Sequence, residues 1–373
     1  MRIGYLGPEG TFSEQAARKR GQDRRAIYIP CTSLQALVQQ VEEGACDEAI
    51  LPAENAYEGP VYHTLDILAH QVRNTRVCAE VVLNIKHHLL TRAAVSPADI
   101  KGIVSHPQAL NQCRTYLDRR FGGVPRYEAS STAEAARRVA AEAEPWAAIG
   151  TARAAELYGL DILEEDIAGL PGNVTRFLVL GRDETPDGWH NSKTMMVVEL
   201  CDRPGALYRL LGVFARRGIN LTRIESRPAR THLGAYLFFI DFEGHYRDPE
   251  IQELLEEVRM HSKSYRILGS YPADGDIPGE GTAAESLAEI RKEIDAVDGE
   301  IISLLARRAA LARRAGRLKQ GDGGSIRDTA REEEVLRRLG CLAEEKGLAR
   351  DFAHSVYRLI IEYCIELQKQ ERR

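Results

Sequence analysis

The chain has 373 residues, of which 44% are hydrophobic and 28% are charged, and its formal net charge at pH 7 is −5. This length predicts two or three domains with hydrophobic cores, and the slightly acidic charge gives no electrostatic reason to expect nucleic acid as a partner. No apolar run approaches the roughly 20 residues that span a bilayer, so we expect no membrane-spanning segment.

The first predicted domain, residues 1–182, alternates short apolar strands with amphipathic helices. This order indicates an α/β fold with a mostly parallel sheet, and its length allows two lobes with a cleft between them. The predicted strands are 3–6, 49–51, 77–83, 102–104, 147–149 and 177–180, and the predicted helices are 13–20, 34–43, 107–120 and 133–144.

The polar, turn-rich stretch 183–192 is a predicted linker. Residues 193–272 follow in the order βαββαβ, which is the ferredoxin-like plan. The predicted strands are 194–200, 219–226, 233–242 and 265–270, and the predicted helices are 205–217 and 249–260.

The stretch 273–286 is rich in glycine, aspartate and small residues and is the second predicted linker, and the third domain, assigned to residues 284–373, is all-helical. Apolar residues recur from 290 to 318 with a seven-residue repeat in which Arg308 takes the place of a leucine. Two shorter amphipathic helices, 331–345 and 351–369, follow. An arginine on an apolar stripe needs an anionic partner. This partner could be Glu332, in a structural ion pair, or a bound anion.

Several loops that follow strands carry small hydroxylated residues at the start of a helix. Thr11 lies three residues before Glu14, residues 131–134 repeat this spacing, and Ser105-His106 leads directly into a proline. Each feature alone is a helix cap, but several helix starts beside strand ends indicate an anion site. Because the sequence has neither GxxxxGK[ST] nor GxGxxG, a carboxylate ligand is favoured over a nucleotide.

Thr175 and Arg176 open the apolar strand in GNVTRFLVLG. Arg176 is suited to bidentate binding of a carboxylate, and Thr175 offers a hydroxyl donor. From the pattern alone, a β-forming threonine and a solvated charge at the strand end are the simpler interpretation.

The same stretch contains the glycosylation sequon Asn173-Val174-Thr175. The amino terminus, MRIGYLGPEG, lacks the apolar region and cleavage site of a signal peptide, and the seven cysteines have no metal-binding spacing. We therefore expect a cytoplasmic protein with reduced thiols, in which the sequon is not glycosylated.

The motifs GPEGTFSEQAA, LPAENAYEGPVYHTLDIL, SHPQALNQC, SSTAEAA and NVTRFLVLG, in this order, closely resemble those of prephenate dehydratases over essentially all of residues 1–182. The resemblance implies two α/β lobes that close on prephenate, with Thr175 assisting the departure of the ring hydroxyl. The other residues that it places in the cleft are Glu54, Asn55, Ser105, His106, Thr132, Asn173, Arg176 and Phe177.

The implied reaction needs few catalytic groups. The leaving carboxylate supplies the electrons and the new aromatic ring the driving force, so we expect no cofactor, metal or base. The loop 168–172 departs from the family, which often has an acidic or amide residue shortly before the asparagine.

Two loops of the second domain, around residues 202–208 and 225–228, suggest a small-molecule site or simply a helix start and a strand-ending turn. Their sequences resemble the GAL-type and ESRP motifs of ACT domains, where phenylalanine binds between paired subunits. The resemblance implies feedback inhibition through a phenylalanine site formed by Gly205, Ala206, Leu207, Glu225, Ser226 and Arg227.

The third domain resembles the all-helical chorismate mutases over about residues 284–370, through SLAEIRKEIDAVDGEIISLLARR, IRDTAREEEVLRRL and IIEYCIELQKQ. The resemblance implies that arginines clamp the two carboxylates of chorismate, while Lys319 with Gln368 or Glu332 stabilises the breaking ether oxygen. The substrate-contact positions are Arg291, Arg308, Lys319, Asp328, Arg331, Glu332, Cys364 and Gln368. The family pairs two interlocked chains, with Arg291 donated across the dimer, so a homodimer or a dimer of dimers is expected.

Together the resemblances imply a bifunctional enzyme of phenylalanine biosynthesis, fused in the order dehydratase, ACT, mutase, whereas the more familiar fusion places the mutase first. Three alternatives stay open. The first domain could be a non-catalytic binding module, the dehydratase could prefer arogenate, and the helical domain could serve mainly regulation or dimerisation.

Overall fold

The structure, a computed structural model, describes residues 1–22, 24–169, 171–182, 192–231, 234–273, 287–321, 327, 329–345 and 348–370. Most of both predicted linkers, residues 183–191 and 274–286, therefore lies outside the described residues. The chain divides into two compact units, Met1–Gly281 and Thr282–Arg373. Among the helices of the described ranges, none combines the length and apolar character needed to cross a membrane.

The first lobe is a mixed sheet covered by helices, and its strand order is β2-β1-β3-β11-β5, with β4 paired to β3. Its strands are β1 (Arg2–Leu6), β2 (Ile27–Cys31), β3 (Glu48–Asn55), β4 (Gly59–Pro60), β5 (Arg76–Asn84) and β11 (Val174–Gly181). Its helices are α1 (Phe12–Arg20), α2 (Leu34–Glu42) and α3 (Tyr62–His70). Helix α2 buries Leu34, Leu37, Val38 and Val41, the i, i+3, i+4, i+7 spacing of one helical face.

The second lobe lies between β5 and β11 in the chain and contains a five-stranded sheet of order β10-β6-β9-β7-β8. Its strands are β6 (His88–Thr91), β7 (Gly102–Ser105), β8 (Arg126–Glu128), β9 (Trp146–Gly150) and β10 (Asp161–Glu164). Its helices are α4 (Pro107–Gln112), α5 (Arg114–Phe121), α6 (Thr132–Ala141) and α7 (Ala152–Tyr158). The chain thus folds as the two-lobed α/β domain that the sequence allowed.

The prediction of a mostly parallel sheet was wrong for both lobes. Strand β11 pairs antiparallel with both β3 and β5, because the chain returns from the second lobe and inserts this strand between two others. In the second lobe, β6 also pairs antiparallel with both β9 and β10. The predicted helix 107–120 is two helices, separated at Cys113. Strands β2, β4, β6, β8 and β10 and helices α3 and α7 were not predicted.

The ferredoxin-like domain has a four-stranded sheet of order β13-β14-β12-β15. Its strands are β12 (Ser192–Glu199), β13 (Leu221–Pro228), β14 (Tyr236–Glu243) and β15 (Ser264–Pro272), and its helices are α8 (Ala206–Arg216) and α9 (Pro249–His261). The two helices pack on one face of the sheet through a cluster that includes Leu210, Phe214, Ile240 and Leu254. This arrangement confirms the predicted βαββαβ order.

The other face of this sheet packs against the first lobe. Met195, Phe239 and Tyr271 share one buried cluster with Leu178 and Leu180 of β11. Strand β15 approaches β5 so closely that a Cβ atom on Gly269 would lie 2.0 Å from the carbonyl oxygen of Val77. The two domains therefore share a continuous core.

The second unit is helical and consists of α10 (Leu287–Gly321), α11 (Thr329–Glu345) and α12 (Arg350–Gln370). Helix α10 has 35 residues, which corresponds to about 52 Å at 1.5 Å per residue. Large apolar side chains of this helix are exposed in the single chain, among them Ile301, Ile302, Leu304 and Leu311. An apolar helix face of this kind needs a partner surface.

Candidate active sites

The first candidate site is a cavity of about 380 Å³ between the two lobes of the α/β domain. This volume is within the usual range for small-molecule sites. The cavity is bounded by the end of β3 and by the starts of β11, α1, α4 and α6. Its lining includes Thr11, Phe12, Ser13, Asn55, His87, His106, Gln108, Gln112, Ser131, Thr132, Thr175 and Phe177.

Thr175 reaches the cavity because side chains alternate along β11. Thr175 and Phe177 line the cavity, whereas Leu178 and Leu180 on the other face belong to the core shared with the ferredoxin-like domain. Thr175 is the cross-strand partner of Asn55 on β3, and the Asn55 Nδ2 atom donates a hydrogen bond to the Thr175 hydroxyl over 2.9 Å. The sheet itself thus brings these two side chains together.

The orientation of the Asn55 amide is determined by the backbone. Its Oδ1 atom accepts hydrogen bonds from the N–H groups of Tyr57 and Glu58, each at 3.0 Å, so its NH₂ group must point towards Thr175. Nδ2 also donates to the Asn173 Oδ1 atom at 2.9 Å. Because Asn55 occupies an acceptor position of the Thr175 hydroxyl, that hydroxyl keeps its own hydrogen for a ligand in the cavity.

The orientations of the Asn173 and Gln112 amides follow in the same way. Its Oδ1 atom is an acceptor, so its Nδ2 atom donates to the Gln112 Oε1 atom at 3.2 Å. Gln112 in turn donates from Nε2 to the Glu58 carboxylate at 3.1 Å. Gln112 ends helix α4 of the second lobe, so this network joins the two lobes beneath the cavity.

His87 completes the network as a neutral side chain. Its Nε2 atom lies 2.9 Å from the Gln112 Oε1 atom, and because that oxygen only accepts, Nε2 carries the proton. Its Nδ1 atom is buried and has no hydrogen-bond partner, which fits the unprotonated ring nitrogen. Burial lowers the pKa of His87 below its ordinary value, so the imidazole stays uncharged near pH 7.

The electrostatics of the cavity come from helix starts. Thr11 caps α1 by accepting from the N–H of Glu14, and Ser131 caps α6 by accepting from the N–H of Glu134. Both caps line the cavity, so the positive ends of two helices face it. Among the described residues that line the cavity, none is lysine or arginine. The site offers hydroxyls, amides and helix dipoles to an anionic ligand.

The structure corrects the predicted placement of Arg176 and Glu54. Arg176 follows Thr175 on the strand, so its side chain points to the opposite face, where Nη1 binds Asp241 at 2.6 Å and Nε binds Glu80 at 2.7 Å. Glu54 precedes Asn55 and likewise points away, and its carboxylate pairs with Arg223 at 3.2 Å. Neither side chain lines the cavity. The motif match identified the correct strands, but it did not show that Arg176 and Glu54 point to the opposite face from Thr175 and Asn55.

Ser105 is also turned away from the cavity, because its hydroxyl donates to the backbone oxygen of Ile149 at 2.7 Å. Of the other predicted residues, Asn55, His106, Thr132, Thr175 and Phe177 line the cavity, and Asn173 lies in the amide network. Sequence reasoning missed Phe12, Ser13, His87, Gln108 and Gln112, and it named Thr11 and Ser131 only as helix caps beside an anion site. Gln112 lies inside the SHPQALNQC motif, which could have indicated it.

The predicted effector residues lie at the start of α8 and on the edge strand β13. Gly205 precedes α8 with φ of 77°, a left-handed conformation that favours glycine. Glu225 is half-buried and Ser226 is exposed. Arg227 is engaged by the first lobe, because it binds the Asp66 carboxylate of α3 through two hydrogen bonds of 3.0 and 2.8 Å. Arg227 of the single chain is therefore not free to bind an effector, whereas the predicted effector site requires that it be free.

The second candidate site is a cavity of about 470 Å³ among the three carboxyl-terminal helices. Arg308 reaches into it from α10 and donates to the Cys364 Sγ atom of α12 at 2.8 Å. The alternative that Arg308 pairs with Glu332 finds no support in the described contacts, in which Glu332 pairs with Arg327 at 3.4 Å. The lining residues are Arg308, Leu311, Ala312, Ala315, Arg331, Glu332, Val335, Ile361, Cys364, Ile365 and Gln368.

Five of the eight predicted mutase residues therefore line one cavity. Arg291 is exposed and lies 17 positions before Arg308 on the same helix, about 25 Å away along the axis at 1.5 Å per residue. It does not line the cavity of its own chain. The Lys319 side chain and Asp328 lie outside the described residues.

Each of the two units of the chain contains one of these cavities, and comparisons with known proteins define the class of the chain. The family described as prephenate dehydratase matches residues 3–185, the ACT domain matches residues 194–259, and chorismate mutase type II matches residues 290–369. The ferredoxin-like domain is thus an ACT domain.

Relatives and solved structures agree with this class. The chain is 42% identical over 275 residues to a bifunctional chorismate mutase/prephenate dehydratase of Pseudomonas aeruginosa, covering 73% of each protein. It is 38% identical over 285 residues to arogenate dehydratase/prephenate dehydratase 2 of Arabidopsis thaliana, covering 74% of this chain and 73% of that protein. The crystal structure of prephenate dehydratase from Arthrobacter aurescens in complex with L-Phe matches with a TM-score of 0.68 and 37% identity, over 81% of this chain and 99% of the other. The chain belongs to the bifunctional chorismate mutase/prephenate dehydratase family.

Proposed function

We propose that the chain catalyses two consecutive reactions of phenylalanine biosynthesis. The helical domain rearranges chorismate to prephenate, and the α/β domain converts prephenate to phenylpyruvate, carbon dioxide and water. The observation that carries the second activity is the Thr175 hydroxyl, held by Asn55 at 2.9 Å in a cavity rich in neutral donors.

In the dehydratase reaction, the bond between the ring and its carboxylate breaks and its electrons enter the ring as the hydroxyl on the opposite carbon leaves. The leaving oxygen takes up a proton and departs as water. Thr175 donates a hydrogen bond or proton to that oxygen, and the Asn55 amide strengthens this donor by occupying an acceptor position of the hydroxyl. The helix starts at Thr11 and Ser131 hold the substrate carboxylates.

In the mutase reaction, no proton or nucleophile is required. One C–O bond breaks and one C–C bond forms within a single dianion. Arg308 and Arg331 hold the carboxylates in the compact reactive conformer, and Gln368 lies on the same cavity wall to stabilise the ether oxygen. Lys319 and Asp328 complete this set by the sequence resemblance.

We expect the active mutase to be a homodimer, or a dimer of dimers, because Arg291 lies far from the cavity of its own chain and α10 exposes Ile301, Ile302 and Leu304. Sedimentation of the full chain tests this, and a monomer with full mutase activity would contradict it. A cytoplasmic location fits the seven cysteines, none of which forms a disulfide among the described residues.

Phenylalanine is the proposed effector, and its proposed site is built from Gly205, Ala206, Leu207, Glu225 and Ser226. The solved Arthrobacter relative was determined with L-Phe. Arg227 enters this proposal only through rearrangement of its pair with Asp66. Inhibition then couples the ACT domain to the dehydratase cavity.

The first experiment supplies purified protein with chorismate alone and measures phenylpyruvate, with prephenate and arogenate as parallel substrates. Phenylpyruvate from chorismate establishes both activities. Accumulation of prephenate would refute the dehydratase assignment, and turnover of prephenate but not chorismate would refute the mutase assignment. If arogenate reacts faster than prephenate, arogenate is the preferred substrate of the first site.

A further inference from the structure

Four charged side chains meet where the dehydratase sheet faces the ACT sheet. Arg176 and Glu54 are cross-strand partners on β11 and β3, and Arg223 and Asp241 are cross-strand partners on β13 and β14. Arg176 Nη1 binds Asp241 Oδ2 at 2.6 Å, and Arg223 Nε pairs with Glu54 Oε2 at 3.2 Å. We call these four residues the interdomain ion-pair square.

The Arg176 arm of the square is buried and densely bonded. The Asp241 side chain is 0% exposed and that of Arg176 is 14% exposed. Arg176 also binds Glu80 through Nε at 2.7 Å and the Tyr271 hydroxyl through Nη2 at 2.6 Å. A guanidinium bound on three sides has one permitted position, so this arm is rigid. The Arg223 arm is weaker, because both Nη atoms of Arg223 are buried without a hydrogen-bond partner.

The square lies directly behind the catalytic pair. Arg176 follows Thr175 on β11, and Glu54 precedes Asn55 on β3, so the two pairs are consecutive rungs of one β-ladder. Thr175 and Asn55 face the cavity, while Arg176 and Glu54 face the ACT domain. A displacement of either rung along its strand therefore displaces the other.

We propose that Asp241 and Tyr271, both in the ACT domain, are positioning residues for prephenate dehydration. They act through Arg176 to hold the Thr175 hydroxyl in register with Asn55 and with the leaving oxygen. This inference rests on the proposed dehydratase activity and assigns to the ACT domain a part in turnover even when no effector is bound.

A second contact between the domains provides a matched control. Arg227 of β13 binds Asp66 of α3 through two hydrogen bonds, and Asp66 is bound at 2.6 Å by Arg230 as well. Helix α3 contributes no described residue to the cavity lining. Loss of this contact weakens domain docking without touching the rung that carries Thr175, so it separates positioning from docking.

The experiment compares Asp241→Asn, Tyr271→Phe and Asp66→Asn in the full chain. Asp241→Asn keeps the shape of the side chain but removes its charge, and Tyr271→Phe removes only one hydroxyl. We expect kcat for prephenate to fall about tenfold or more in Asp241→Asn and by a smaller factor in Tyr271→Phe, because displacement of a reacting group by about 1 Å costs up to about 100-fold. KM should stay within about twofold, since Arg176 does not line the cavity.

Asp66→Asn should retain kcat, and chorismate turnover should be unchanged in all three variants. A double-mutant cycle adds a readout that docking alone does not affect. In a Thr175→Ser background, where the hydroxyl is already less well oriented, Asp241→Asn should cost less than in the wild type. Additive effects would contradict action through Thr175.

The outcomes are decisive for the proposal. The proposal is overturned if the wild type converts prephenate and both Asp241→Asn and Tyr271→Phe fold and keep the wild-type kcat. It is also overturned if Asp66→Asn lowers kcat as much as Asp241→Asn does. If Asp241→Asn fails to fold, shown by loss of its thermal transition, Tyr271→Phe decides. Absence of prephenate turnover in the wild type would instead refute the proposed dehydratase function.

Discussion

The Asn55 amide donates to the Thr175 hydroxyl over 2.9 Å, and the two residues are cross-strand partners on β3 and β11. Two backbone N–H groups hold the Asn55 oxygen, so the amide cannot turn over without breaking both bonds. The hydroxyl is thereby committed to donating into the cavity.

Replacement of Thr175 by valine, which has the same shape, should lower kcat for prephenate about 100-fold or more, because the donor to the leaving oxygen is lost. Thr64→Val is the matched control, since this buried hydroxyl donates only to the Pro52 backbone oxygen at 2.6 Å. That variant should lose stability but keep kcat. Full turnover by Thr175→Val would exclude the assigned role.

The pH dependence of stability follows from His87. Its pKa in the folded protein lies below the unfolded value of about 6.5, so the unfolded state takes up a proton first as the pH falls. The free energy of unfolding should therefore decrease from about pH 7 downwards until the lower folded pKa is passed. His88 contributes in the same direction, because burial lowers its pKa also.

Urea unfolding at several pH values, followed by tryptophan fluorescence, measures this trend. In His87→Gln, whose amide nitrogen can still donate to Gln112, the decrease between pH 7 and pH 5 should be smaller than in the wild type. An identical decrease in both proteins would show that the pKa of His87 is not lowered in the folded state.

Replacement of Arg308 by alanine should reduce chorismate turnover about 100-fold or more, because the cavity loses a cation that reaches it from α10. Prephenate turnover should be retained, since the two cavities belong to separate units. Arg313→Ala, at an exposed position of the same helix, is the control for general charge loss. Unchanged chorismate turnover would support a regulatory helical domain.

Replacement of Glu225 by glutamine should raise the phenylalanine concentration for half-inhibition of the dehydratase about tenfold, because a charge-assisted bond to the amino group is lost. Glu257→Gln serves as the control, since its carboxylate pairs with Arg216 and Arg217 within the helical layer of the ACT domain. Equal sensitivity of Glu225→Gln and wild type would move the effector site elsewhere.

The order of domains and most of their elements were predictable because periodicity and caps are local properties. Helix α2 carries its apolar face at the expected spacing, and Thr11 and Ser131 cap the helices that they precede. Strand β2, with the sequence IYIPC, contains a proline that argues against a strand. It forms because it lies at the edge of its sheet, where an N–H group need not bond.

The site was predictable only as far as the motif identified neighbours. Asn55 and Thr175 lie 120 positions apart, and only strand pairing brings them together. The side on which Arg176 and Glu54 fall depends on the register of β11 between β3 and β5, which long-range pairing decides. His87 gave no local signal, since a histidine beside an apolar strand is also an ordinary core residue.

The two cavities differ in the kind of positive potential that they present, and salt should separate them. The mutase cavity is lined by the guanidinium groups of Arg308 and Arg331, whose full charges are screened by salt, so KM for chorismate should rise with ionic strength. The dehydratase cavity relies on helix starts and fixed amides. Added salt should therefore slow binding of chorismate more than binding of prephenate, and prephenate released by the helical domain should still be consumed at high ionic strength.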